Sequence, residues 1–236
     1  SFCVTEDEGN SPRAIQTRVT ATEQGWLVDG EKSFVTGGRD ATQLLVAARK
    51  GEREDGRPAI VLILCDATAA GLVFEDLPDL PFVPEISHCR IRLQQVPVRS
   101  EHILPGDGYA RYVKPFRTIE DMHVFGAVIG YLLRLSRDYQ WAEESRDALL
   151  VLATTALDIS QWPTDQAVTH LTLAGLISQF NQWLTTSEPH WQTAPAEISE
   201  AWRRDVPLLD IADAARAKRR DNAWRYYSAG GEAGKS

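Results

Sequence analysis

Residues 2–38 read FCVTEDEGNSPRAIQTRVTATEQGWLVDGEKSFVTGG, and no other stretch narrows the possible folds of this chain as much. A short apolar run ends at Thr5-Glu6 and gives way to an acidic loop carrying Gly9, Ser11 and Pro12. Two β-favouring runs, 25–28 and 32–36, flank Asp29-Gly30. An Asp-Gly pair in that setting predicts a two-residue hairpin, since the central residues of such a turn need positive φ. The second run ends at Thr36, before Gly37-Gly38. Residues 43–48, 59–65, 71–75 and 89–93 are further strand candidates, and the polar, Gly-bearing residues 50–58 read as an exposed loop. Short strands at these intervals predict an antiparallel barrel or sandwich.

The pattern changes near Pro115. Residues 120–139 place Met122, Phe125, Ile129, Leu132 and Leu135 on one helical face. Residues 145–159 predict a second helix. A third starts at Pro163-Thr164, with Leu173, Ile177 and Phe180 along its stripe. Asp205 and Pro207 signal the start of a fourth, running to Tyr227, and residues 187–195 form the loop before it. The fold class is therefore α+β. An antiparallel β-barrel or sandwich domain over residues 1–114 precedes an up-down four-helix bundle over residues 115–236.

Composition removes several classes of function. The net charge of −8 argues against a nucleic-acid surface, which needs clustered cations. The basic cluster 216–220 is short and reads as a solvated helix face. Cys3, Cys65 and Cys89 lie far apart, with no disulfide or zinc spacing, and the five histidines show no ligand spacing. Reduced thiols and a cytoplasmic location are expected, with no metal. No apolar run reaches membrane-spanning length, and no signal-peptide pattern opens the chain.

Several blocks then recur in a fixed order: Phe2-Cys3-Val4-Thr5-Glu6, the Gly-Ser loop 7–12, Ile15-Gln16-Thr17, residues 30–36, Val96-Pro97, Ile103-Leu104 and Gly106-Asp107-Gly108. Their order and spacing resemble the acyl-CoA dehydrogenase family, best over residues 2–108 and more faintly to about 140. The resemblance implies a flavoprotein that binds FAD and removes hydrogen across the α,β bond of an acyl-CoA thioester, passing a hydride to flavin N5. It assigns cofactor binding to Val4, Thr5, Phe34, Val35 and Thr36, and substrate binding to Ser11. Thr36 would donate toward N5, Val4 and Thr5 would serve the pyrimidine edge, and Phe34 would pack on the ring, where the family usually has Trp. Such donors suit the chemistry, because a reduced flavin gains negative charge. Each residue also has a local reading: Thr36 as a strand residue before a Gly-Gly turn, Phe34 as a core aromatic and Ser11 as a turn residue beside Pro12.

The chain departs from the family pattern in four places. It opens inside the β-domain, so either the family's N-terminal helical domain is absent or these residues are part of a longer chain. Glu120 stands where the family has an arginine, six residues before a close-packing glycine matched by Gly126. As a displaced catalytic base, Glu120 would need a pKa raised by desolvation. As a structural residue it would, with Asp121, complement a helix N-terminus. The arginine expected near residue 143 to hold a cofactor pyrophosphate is replaced by Glu143-Glu144, which is unfavourable beside phosphate. The late Gly-Gly element of the family matches Gly230-Gly231. Two functions follow. One is a FAD-dependent acyl-CoA dehydrogenase-like enzyme that assembles as a homo-oligomer. The other is a non-catalytic scaffold or partner subunit of a dehydrogenase that has lost FAD binding.

Overall fold

The computed structural model describes residues 1–229. It divides into two compact units, Ser1–Lys114 and a second beginning at Pro115.

The first unit is built on seven strands: β1 (Phe2–Cys3), β2 (Arg18–Thr22), β3 (Gly25–Thr36), β4 (Gln43–Glu52), β5 (Pro58–Asp66), β6 (Leu72–Asp76) and β7 (His88–Val98). They form one mixed sheet in the order β1-β4-β2-β3-β7-β6, with β5 on β4. β1 and β2 both run parallel to β4, at Phe2↔Leu45 and Arg18↔Arg49. The sheet is therefore mixed and open, where an antiparallel barrel or sandwich was expected. The reason lies in the long excursion between β1 and β2, which carries the chain across and returns it in the same sense; a hairpin cannot do that. Apolar side chains pack on both faces of the sheet. Val28, Val35, Leu44, Val46, Ile63 and Ile91 form the larger cluster, and Val4, Ile15, Ala47, Ile60, Leu62 and Val113 the other.

The expected hairpin at Asp29-Gly30 does not form. β3 runs straight through these residues, and the hairpin that does form joins β2 to β3 around Glu23-Gln24, with Thr22 opposite Gly25. Asp29-Gly30 marks an irregularity in the β3–β7 pairing instead. Gly30 has φ +148°, and a Cβ there would lie 2.6 Å from the Thr17 backbone. Asp29 accepts the Gln95 amide at 2.8 Å, which holds Gln95 in its left-handed conformation. The same dipeptide chemistry thus serves a bulge rather than a turn. Residues 15–17 are an extended connection ahead of β2, and β4 continues to Glu52, so the exposed loop shrinks to residues 53–57.

The second unit contains five α-helices among the described residues: α1 (Lys114–Asp138), α2 (Glu143–Ile159), α3 (Ala167–Thr185), α4 (Ala196–Asp205) and α5 (Asp213–Ser228). One more helix forms than expected. α4 is only ten residues long, and Ile198 and Trp202 are its contribution to the core, a weak periodic signal. Pro207 lies in a 3-10 turn, Val206–Asp210, rather than at a helix start. Phe125 meets Phe180 edge-on at 5.7 Å in the core, and Trp183 Nε1 donates to Ser145 Oγ at 2.9 Å. A methyl at Gly126 would meet Ala156 Cβ at 3.9 Å, an ordinary contact, so close packing does not require this glycine.

The basic cluster of α5 is only partly a solvated face: Lys218 and Arg220 are exposed, but Arg216 and Arg219 turn inward. Asp121, buried on α1, pairs with Arg216 at 2.9 Å and with Arg219. The Arg216 guanidinium also lies over the Phe125 ring, 5.0 Å from its centre. Gly230-Gly231 falls outside the described residues.

Candidate functional site

The ladder of β1 ends at Cys3, and the next residues are held by side chains as well as by backbone. Lys32 is fully buried in β3 and donates to Glu6 Oε1 at 2.7 Å and to the Val4 carbonyl at 3.4 Å. Glu6 also accepts the Thr17 hydroxyl at 2.7 Å, the Thr17 amide at 3.0 Å and the Gln16 amide at 2.6 Å. The Thr5 carbonyl accepts the Ser33 amide at 2.9 Å, and the Ser1 hydroxyl donates to the Thr36 carbonyl at 2.8 Å. Residues 1–5 therefore run beside residues 33–36 in opposite sense, and Thr5 and Thr36 belong to one surface region.

Alternation along β3 sorts the side chains there. Val35 is completely buried in the larger core cluster, while Phe34 is 56% exposed and Thr36 is exposed. Phe34 is thus not a core aromatic. Val4 is buried among Ile15, Ala47 and Leu62, so it and Val35 can offer only backbone to a ligand. Among the described residues, neither the Thr5 nor the Thr36 hydroxyl has a protein partner. Gly37 turns the chain at φ +61°, and a Cβ on Gly38 would collide with Cys89 Sγ and Val35, each at 2.7 Å. The Gly-Gly pair is therefore demanded by the end of this strand.

Electrostatics reinforce the arrangement. Burial would raise the pKa of Glu6, but the Lys32 charge and the hydrogen bonds from Lys32, Gln16 and Thr17 together hold it below the usual carboxylate value. Burial lowers the pKa of Lys32, and Glu6 opposes that shift. A cavity of about 320 Å³ beside the pair is lined by Glu6, Asp7, Glu8 and Glu31, which makes it a poor seat for phosphate. Burial pushes the Cys3 thiol up to about 12 and the Cys65 thiol to about 11. All three cysteines are free and buried, and among the described residues no cluster suits a metal ion.

Ser11 is exposed, and its hydroxyl accepts the Ala14 amide at 3.3 Å in a local turn. Glu120 belongs to the helical unit. It sits almost two turns into α1, too far from the N-terminus for the charge–dipole role. Although it is exposed, crowding by neighbouring protein and the adjacent Asp121 charge raise its pKa. Glu143 and Glu144 occupy the first turn of α2, where acids are favourable. Sequence reasoning noted Glu6 and Lys32 only as parts of motifs. A lysine at an inward position of an otherwise apolar strand was the signal that could have singled out the pair.

The sequence likeness to a known family lies in the unit that carries this open sheet. Residues 1–96 match the family model for the acyl-CoA dehydrogenase middle domain. That match covers the first unit alone, and it is this unit that is similar in sequence to the acyl-CoA dehydrogenase family. Solved structures share the fold. A probable acyl-CoA dehydrogenase from Mycobacterium abscessus has a TM-score of 0.69 at 17% identity, covering 94% of this chain and 67% of its own. Butyryl-CoA dehydrogenase from Megasphaera elsdenii has a TM-score of 0.68 at 14% identity, with coverages of 94% and 67%. FMN-bound TdsC from Paenibacillus sp. A11-2 has a TM-score of 0.73 at 14% identity, with coverages of 94% and 69%. At such identities the likeness speaks for the fold. No curated protein matches the chain by sequence. Among the described residues no helix is long and apolar enough to cross a membrane.

Proposed function

We propose that the chain is an acyl-CoA dehydrogenase-like flavoprotein whose β-domain (1–114) presents residues 4–5 and 34–36 to the flavin of FAD, with residues 115–236 as the helical domain. The observation that carries this reading is the pairing of residues 1–5 with 33–36, which gathers Thr5, Phe34 and Thr36 into one region. The residues present fit a flavin. Phe34 offers an exposed aromatic face, and two hydroxyls without protein partners flank it. Bound there, the flavin would supply a hydride acceptor for α,β-dehydrogenation of an acyl-CoA thioester. The chain's own part is to orient and to donate. Thr36 would donate a hydrogen bond toward the ring edge that gains charge, the backbone of Val4, Thr5 and Val35 would line the ring, and Phe34 would pack against it. Ser11 would contact the acyl substrate once its turn rearranges, since its hydroxyl otherwise accepts the Ala14 amide. Glu120 is the base assigned to the α-proton, because its raised pKa brings proton transfer nearer to neutral pH. We place the protein in the cytoplasm, as a homo-oligomer or beside a dehydrogenase partner subunit.

The absorbance spectrum of protein incubated with FAD tests this directly. A flavin band that survives desalting, and is lost in Phe34→Ala/Thr36→Ala, is the expected result. Protein that stays colourless would leave the non-catalytic scaffold as the working assignment, a reading that the acids at 143–144 favour.

A further inference from the structure

We infer that Lys32 and Glu6 are positioning residues whose task is to hold residues 4–6 against Ser33 at the ligand face; this rests on the flavin reading above. The ladder of β1 ends two residues into the strand, so it cannot fix Val4 and Thr5. What fixes them is a tie among three distant segments. Lys32 Nζ reaches both the Val4 carbonyl and Glu6, and Glu6 in turn gathers the Gln16 amide and both the amide and hydroxyl of Thr17. The tie ends one residue from the Ser33 amide bond to Thr5 and two from Phe34, the face that would receive the ring.

A buried ion pair is a poor device for stability alone, because apolar residues of similar size often serve as well or better. Its geometry suits conformational specificity instead. A methionine at position 32 would fill the same space but could reach neither the Val4 carbonyl nor Glu6. Every acceptor on Glu6 would still be wanted by Gln16 and Thr17, so the 16–17 segment would stay in place while residues 4–5 lost their tether. Thr5 would then sample positions away from Ser33, and the hydroxyl and amides offered to a ligand would no longer be preorganised.

The test uses the whole chain carrying Lys32→Met with Glu6→Gln, which removes the tether without leaving a buried unpaired carboxylate and keeps one carboxamide oxygen as an acceptor for Thr17. Lys32→Met alone serves as a second variant should the first fail to fold, since it also removes the donor to the Val4 carbonyl. Amide hydrogen exchange and FAD titration are read on the same samples. The expected result is a fall of roughly tenfold or more in protection at the Ser33 amide, with protection at Ile63 in β5 unchanged. The FAD dissociation constant is expected to rise by about the same factor, with an altered visible circular dichroism of the bound flavin. Unchanged Ser33 protection overturns the positioning role, whether or not flavin binds. Weakened Ser33 protection with FAD affinity and dichroism equal to wild type also overturns it, since the tether would then serve folding only. Wild-type protein that takes up no FAD would instead defeat the flavin reading, while Ser33 protection would still decide whether the tether holds residues 4–6.

Discussion

Among the described residues each unit hides one carboxylate, and the two are held in opposite ways. Glu6 is surrounded by donors from within the first 32 residues: a buried lysine, a threonine hydroxyl and two backbone amides. Asp121 is held by Arg216 and Arg219, almost a hundred residues further on. The first arrangement ties residues 4–6 to β3 and to residues 16–17. The second closes a helical unit by joining α1 to α5. Similar chemistry thus fixes a local segment in one place and joins two distant helices in the other.

Cutting each pair tests the difference most severely. Lys32→Met should destabilise by about 3–5 kcal/mol in urea unfolding followed by circular dichroism, because it strands a buried carboxylate. Asp121→Ala should cost less, about 2 kcal/mol, because the side chains of Arg216 and Arg219 are 13% and 22% exposed and can turn to water. Equal losses would show that the two pairs play the same part.

Two glycines sharpen the contrast at smaller scale. Gly30→Ala forces a Cβ against the Thr17 backbone and should destabilise by about 2 kcal/mol. Gly126→Ala finds room beside Ala156 and gains helix propensity, so it should stabilise by about 0.5–1 kcal/mol. Thermal melts of both variants check the pair, and a destabilised Gly126→Ala would restore the close-packing interpretation.

The pH dependence should also have opposite signs. The pKa of Glu6 lies below its unfolded value of 4.5, so its contribution is complete above that value and is lost as pH falls through the folded pKa. The pKa of Glu120 lies above 4.5, so its contribution is complete below 4.5 and is lost as pH rises through the folded pKa. Glu120→Gln should therefore raise stability slightly at pH 7 and change nothing near pH 4, read from denaturant midpoints at the two values. This is the smallest of the effects, because the side chain is largely open to solvent.

The same contrast explains what could be read from the sequence. Strand positions in the first unit, such as β5 and β7, were visible as short apolar runs. The motif around Phe34–Thr36 pointed to the segment that pairs with residues 1–5, a partner close in sequence, while its pairing with residues 88–89 of β7 was not visible. The mixed topology was not visible, because nothing in residues 4–17 announces that β2 will return parallel to β4. Asp29-Gly30 misled for a related reason: a pair with turn chemistry becomes a bulge when Gln95 and Thr17 arrive from elsewhere. In the helical unit, Phe125, Ile129 and Leu132 announced α1. The pairing of Arg216 and Arg219 depended on a partner 95 to 98 residues away, so local pattern showed only their charge.

The distribution of sulfur gives the experimenter a selective clock. The chain's three thiols all lie in the β unit, each buried, and the two with the highest pKa values stay protonated at any ordinary pH. An alkylating reagent must wait for the sheet to open before it can react. Labelling kinetics by mass spectrometry would therefore time the opening of that unit alone, without a spectroscopic signal from the tryptophan-rich helices.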